Sequence, residues 1–168
     1  MTRLSLRMWA LAGALSAFAL AAAPNAAFAT DCRVLHTVIE SAMLPLNEQY
    51  GGHVAKHVIG ETAPVGFPPT SVTTAFKSAE QYEDVWLRYQ GLTLSGKKTP
   101  DCVGTSGAID KAASVSQLGL GKLKMDKCSG VDGKGVCNAW TETTARNVSF
   151  TFAYKSGSWI VYSAFPME

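Results

Sequence analysis

Three histidines are all the imidazole chemistry this chain holds: His36, His53 and His57. His53 and His57 stand four residues apart, so on a helix their rings share one face. Imidazole titrates near neutrality, and two such rings can act as general base and general acid. An H-x-x-x-H pair can also ligate zinc, but a site needs a third ligand, and no H-E-x-x-H is present. We expect no metal and no cofactor. His36 follows Leu35 at the edge of an apolar helical pattern and reads as a boundary residue. Serine hydrolase and P-loop chemistry lack their signatures: there is no G-x-S-x-G and no G-x-x-x-x-G-K-[ST]. Lys122, Lys124, Lys127 and Lys134 could meet a phosphate-rich ligand or form a solvated face.

The elements that would position the histidines follow from periodicity. Val34, Leu35, Val38, Ile39, Ala42 and Met43 predict an amphipathic helix over 32–44, with Asp31 as N-cap and Pro45 as its stop. After Gly51-Gly52, the segment HVAKHVIG predicts a second helix or a helical turn ending at Gly60. Ala63 to Thr70, with three prolines, is a loop. Ala79, Tyr82, Val85, Trp86 and Tyr89 predict a helix from Lys77 to Tyr89, with Thr73 or Thr74 as N-cap and Gly91 at the end.

The remainder reads as β-structure. Leu118, Leu120 and Leu123 alternate within 115–125, interrupted by Gly119 and Gly121, which predicts a bent strand. Cys137 to Thr144 reads as another strand. Val148, Phe150, Phe152 and Tyr154 alternate with small or polar residues, and Lys155-Ser156-Gly157-Ser158 is a turn. Residues 147–165 therefore predict a hairpin. The fold class is α+β: N-terminal helices packed on a C-terminal antiparallel sheet.

Export and cross-linking follow from the two ends of the composition. Arg3 and Arg7, an apolar run from Trp9 to Ala23 and the Ala27-Phe28-Ala29 site predict a signal peptide over 1–29 and a single domain over 30–168. The chain has 15 basic and 13 acidic side chains, and the leader holds two of the former and none of the latter. The remaining domain is balanced, so no strongly basic nucleic-acid footprint exists at the level of net charge. Cys32, Cys102, Cys128 and Cys137 form an even set in an exported chain, which reads as two disulfides. Three pairings are open. The turn-rich CSGVDGKGVC stretch favours Cys128–Cys137 as a local clip, leaving Cys32–Cys102.

Three stretches together carry a resemblance. Gly51-Gly52-His53 with His57-Val58, then Thr74-Ala75-Phe76 ahead of a helix, then Ser163-Ala164-Phe165-Pro166 after an aromatic hairpin, resemble the bacterial RNase A-like toxin domains. These domains end contact-dependent growth inhibition proteins. The likeness spans roughly 44–166, with 91–136 matching only in outline. It implies an RNase A-like fold and metal-free endoribonuclease activity. It makes His57 the core catalytic group, His53 a second candidate and Ser163 a supporting hydroxyl. It sets Phe165 where the family has Tyr, and a family Arg is missing from the segment after His57-Val58. Lys56 or Arg146 would then be the cation at the substrate, and activity would be weak. The expected partners are RNA and a cognate immunity or target protein, with a monomer located in the periplasm or secreted, and no membrane after leader removal. Two alternatives stay open: a non-catalytic periplasmic binding or inhibitor module on the same scaffold, and an unrelated disulfide-clipped α+β fold in which the histidines lie far from Ser163.

Overall fold

The computed structural model describes residues 29–168. The predicted leader falls outside the described residues except for its last, Ala29. The chain is α+β, and its sheets are antiparallel. In order it runs through β1 (Thr30–Asp31), α1 (His36–Ser41), α2 (Leu44–Asn47), β2 (Thr74–Phe76) and α3 (Ala79–Gln90). Then follow β3 (Asp101–Cys102), β4 (Ala108–Ser114), β5 (Leu123–Val131), β6 (Cys137–Ala145), β7 (Asn147–Lys155) and β8 (Ser158–Met167). The strands form two three-stranded sheets, β2-β5-β6 and β4-β7-β8, and a short β1-β3 ribbon. Among the described residues no helix is long and apolar enough to cross a membrane.

Both disulfides form with the favoured pairing, Cys32–Cys102 and Cys128–Cys137. The first ties the β1-β3 ribbon together. The second closes the β5-β6 hairpin.

The predicted 32–44 helix is not continuous. A 3-10 turn, Cys32–Val34, comes first, with the Asp31 carboxylate accepting from Arg33 N–H as its cap. Leu35 is extended (φ −72°, ψ 131°), and α1 starts only after it. Pro45 does not stop a helix here. It sits in the first turn of α2, where an N–H would have no intrahelical partner. Helix α3 forms as predicted but is capped by Ser78, whose hydroxyl accepts from Gln81 N–H. Thr74 is committed to β2 instead. Its apolar stripe meets the sheet: Tyr89 stacks on Phe150 at 3.9 Å between ring centroids, and Trp86 lies 6.0 Å from the same ring.

The middle of the chain departs most from expectation. Val115–Gly121 is a turn, closed by bonds such as Leu120 N–H to Val115 O, with Gly119 at φ 69°. The strand begins at Leu123. Ahead of it, Ala108–Ser114 forms β4, which pairs with β7 along its whole length. Its sequence AIDKAAS is short of large β-branched residues, because an edge strand buries only one side.

Aromatic alternation in β7 works as read. Val148, Phe150 and Phe152 are fully buried. The β7-β8 hairpin spans 147–167 and carries one irregularity: Thr151 faces Ser163, but Phe152 faces Val161. Tyr162 is therefore an extra residue in β8, a bulge that re-aims its neighbours.

Candidate active site

The Gly51-Gly52 pair explains how a one-turn segment can hold two histidines against a sheet. Gly51 has φ 86°, a left-handed conformation that L side chains resist. At Gly52 a Cβ would come within 2.5 Å of the Asn47 amide. The close approach lets Asn47, itself buried, join three elements: its Nδ2 donates to Ser41 O and Val161 O, and its Oδ1 accepts from Val54 N–H. His53 N–H donates to Tyr162 O at 2.8 Å. The His segment is a 3-10 turn, Val54–His57, rather than a helix, and His53 is its N-cap. Residue i+4 spacing therefore does not stack the rings, whose centroids stand 6.1 Å apart at an angle of 44°.

His57 is 7% exposed. Its Nδ1 lies 2.8 Å from the Thr74 carbonyl of β2. A carbonyl only accepts, so Nδ1 carries the proton and Nε2 keeps its lone pair. That nitrogen has no hydrogen bond and is not among the sealed, unpartnered atoms, so it opens onto the cleft. The ring lies against Phe165 at 5.0 Å. His53 is flanked by Phe67 (4.5 Å, parallel) and by the edge contact with Tyr162 (4.4 Å). Burial pushes both imidazoles down to about 4. Lys56 adds to the effect at both, Lys155 at His53, while the Thr74 carbonyl pulls His57 the other way. Both rings are neutral at pH 7.

Ser163 is 4% exposed, and its Oγ has no hydrogen-bond partner. Together with His53, His57, Lys56, Tyr162 and Phe165 it lines one open cleft of about 670 Å³. Tyr162, the bulge residue of β8, lines the cleft beside Ser163. His57 of the early turn and Ser163 of the last strand thus line the same cleft. Among the described residues no group of three His, Cys, Asp or Glu could hold a metal ion.

Not every predicted residue joins the cleft. Arg146 is exposed at the β6-β7 corner, where its N–H donates to Met167 O at 2.7 Å, and it does not line the cleft. His36 is on the surface, 3.3 Å from Glu40. Among the lysines, Lys124 pairs with Glu142, and Lys127, at the cleft rim, pairs with Glu168 at 2.8 Å. Sequence reasoning missed two cleft residues: Tyr162 on the β8 bulge, which leaves no mark in the alternation, and Thr151 on β7, which reads as an ordinary polar strand position. It also missed the role of the Ala63–Thr70 loop, whose Phe67 covers one face of His53.

What the cleft can do chemically is bounded by these groups. One neutral imidazole has a fixed tautomer and an open lone pair. A second lies with its centroid 6.1 Å from that of the first. Lys56 lines the cleft as its nearby cation, and the unpartnered Ser163 hydroxyl lies sealed in its wall. No protein-family model, no curated protein and no solved structure matches the chain.

Proposed function

We propose that the chain is an RNase A-like, metal-free endoribonuclease, exported to the periplasm or beyond and acting as an effector on RNA of another cell. What supports this reading is the meeting of His53, His57 and Ser163 in one cleft, with the His57 Nδ1 held by the Thr74 carbonyl. His57 Nε2 takes the ribose 2′-OH proton. The 2′-oxygen then forms its bond to phosphorus, the bond from phosphorus to the 5′-oxygen breaks, and protonated His53 gives its proton to that oxygen. Lys56 holds the phosphoryl oxygens as charge builds, and the Ser163 hydroxyl turns out of the cleft wall to join it. A phosphodiester anion between the rings favours the charged imidazole and raises His53 from its low resting value. The cleft contains no arginine, so the expected rate is low.

The test is oxidised protein incubated with labelled RNA and EDTA. The expected products carry 2′,3′-cyclic phosphate ends. His57→Ala should slow cleavage by at least ~100-fold. No cleavage by the wild type, or equal cleavage by the variant, would falsify the proposal.

A second reading is favoured by the same neutrality of both rings: a non-catalytic binding or inhibitor module on this scaffold. It expects a stoichiometric protein partner and intact RNA. Recovery of no partner in a pull-down under conditions where RNA is degraded removes it.

A further inference from the structure

A second cavity, of about 400 Å³, opens beside β4, between that edge strand, the end of α3 and the 92–98 segment. Its inner wall includes Tyr89, and its outer wall includes Lys97, Lys98 and Lys111. Tyr89 is 1% exposed, and its hydroxyl has no hydrogen-bond partner. The hydroxyl is sealed from the cavity, so Tyr89 gives it a wall rather than a donor.

The charges around it have one dominant sign. Among the described residues none of the three lysines forms an ion pair, and the Lys111 ammonium meets only the Lys97 carbonyl. The one carboxylate in the lining, Asp110, accepts a hydrogen bond from the Thr151 hydroxyl at 2.6 Å. Arg33 lies over the Tyr89 ring at 5.4 Å but is engaged elsewhere, with Asp31 and with the carbonyls of Tyr89 and Leu92. Those two bonds, at 2.8 Å each, brace the wall. The Cys32–Cys102 disulfide and the Cys32 N–H bond to Pro100 O hold the loop beyond it. The cavity is a built one, with its shape set by buried contacts.

We propose that this cavity binds a phosphate-bearing ligand, gripped by the ammonium groups of Lys97, Lys98 and Lys111. Lysine serves here as a point charge for phosphate. The size suits a small phosphorylated molecule, and the position also suits one phosphate of a nucleic-acid strand. The site is independent of the ribonuclease reading, because none of its lysines lines the histidine cleft.

The experiment is an amide NMR titration of the oxidised chain with sodium pyrophosphate, against sodium chloride at equal ionic strength. A short DNA strand, which lacks the 2′-OH and is not cleaved, forms the second arm. Amides at 89, 97, 98 and 111 should shift. K97Q/K98Q should weaken binding at least ~10-fold, and K111Q should weaken it as well. His57→Ala should leave these shifts unchanged, which separates this site from the failure of the nuclease reading. Response to pyrophosphate alone identifies a small phosphorylated ligand. Tighter DNA binding that K97Q/K98Q abolishes identifies a strand phosphate. No shift beyond that of chloride, shifts confined to the His53–His57 cleft, or unaltered affinity in K97Q/K98Q overturns the proposal.

Discussion

His57 and His53 are neutral because folding removes them from water, and that has two measurable consequences. Their imidazole protons should titrate by NMR with midpoints near 4, well below the ordinary 6.5. Between those values the unfolded chain binds more protons than the folded one, so stability rises with pH across this window. It is complete above about pH 6.5 and lost as pH falls towards 4. For His57 alone the loss approaches roughly 3 kcal/mol. A urea midpoint that is flat from pH 7 to pH 4.5 in the wild type, or equally steep in a His57→Gln variant, contradicts the assignment. Ser163 gives the opposite test. Its hydroxyl is buried and unpartnered, so Ser163→Ala removes an unsatisfied group and should leave stability unchanged or raise it by up to ~1 kcal/mol. RNA cleavage, if the proposed chemistry holds, should fall about tenfold in the same variant.

At the scale of elements, the His turn owes its place to Asn47 and Gly52 more than to its own helical propensity. A 3-10 turn of four residues is too short to stand alone. It is held by the Asn47 amide, which reaches α1, β8 and the turn together. Gly52→Ala must push that amide away. We expect a loss of about 2–3 kcal/mol and weaker shielding of His57, read as a higher midpoint in the same titration. An unchanged melting temperature would mean that the segment can shift without disturbing Asn47. The β8 bulge is the second such device. It lies at the cleft, where Tyr162 is its extra residue, and it belongs to strand pairing rather than to any one residue.

For the whole molecule, the two disulfides differ in how much chain they close. Cys32–Cys102 spans 70 residues and Cys128–Cys137 spans 9. By loop entropy the first restricts the unfolded state by roughly 4 kcal/mol and the second by roughly 2.5 kcal/mol. Cys32→Ser/Cys102→Ser should therefore melt well below Cys128→Ser/Cys137→Ser. Equal melting temperatures would show that the β1-β3 ribbon adds little to the core. The long bridge also ties the braced wall of the second cavity to the N-terminal segment, whereas the short one lies at the far end of the β5-β6 hairpin.

Local rules were enough to read helix α3, the β7-β8 hairpin, the α+β class and the favoured disulfide pairing. Each rests on near neighbours in the chain: a 3.6-residue stripe, strict alternation, or a loop of Gly and Asp between two cysteines. The two glycines before His53 were also visible, but not their purpose, which depends on Asn47 folding back beneath them. The breaks at Leu35 and Met43, strand β4 and the fate of Val115–Gly121 depend on partners far away in sequence. So do the sharing of one cleft by His57 and Ser163, across more than a hundred residues, and the absence of Arg146 from it. Residue types set which chemistry was available. Strand register, a bulge and burial decided which groups share a cavity and in which protonation state, because those follow from long-range pairing and from the water it excludes.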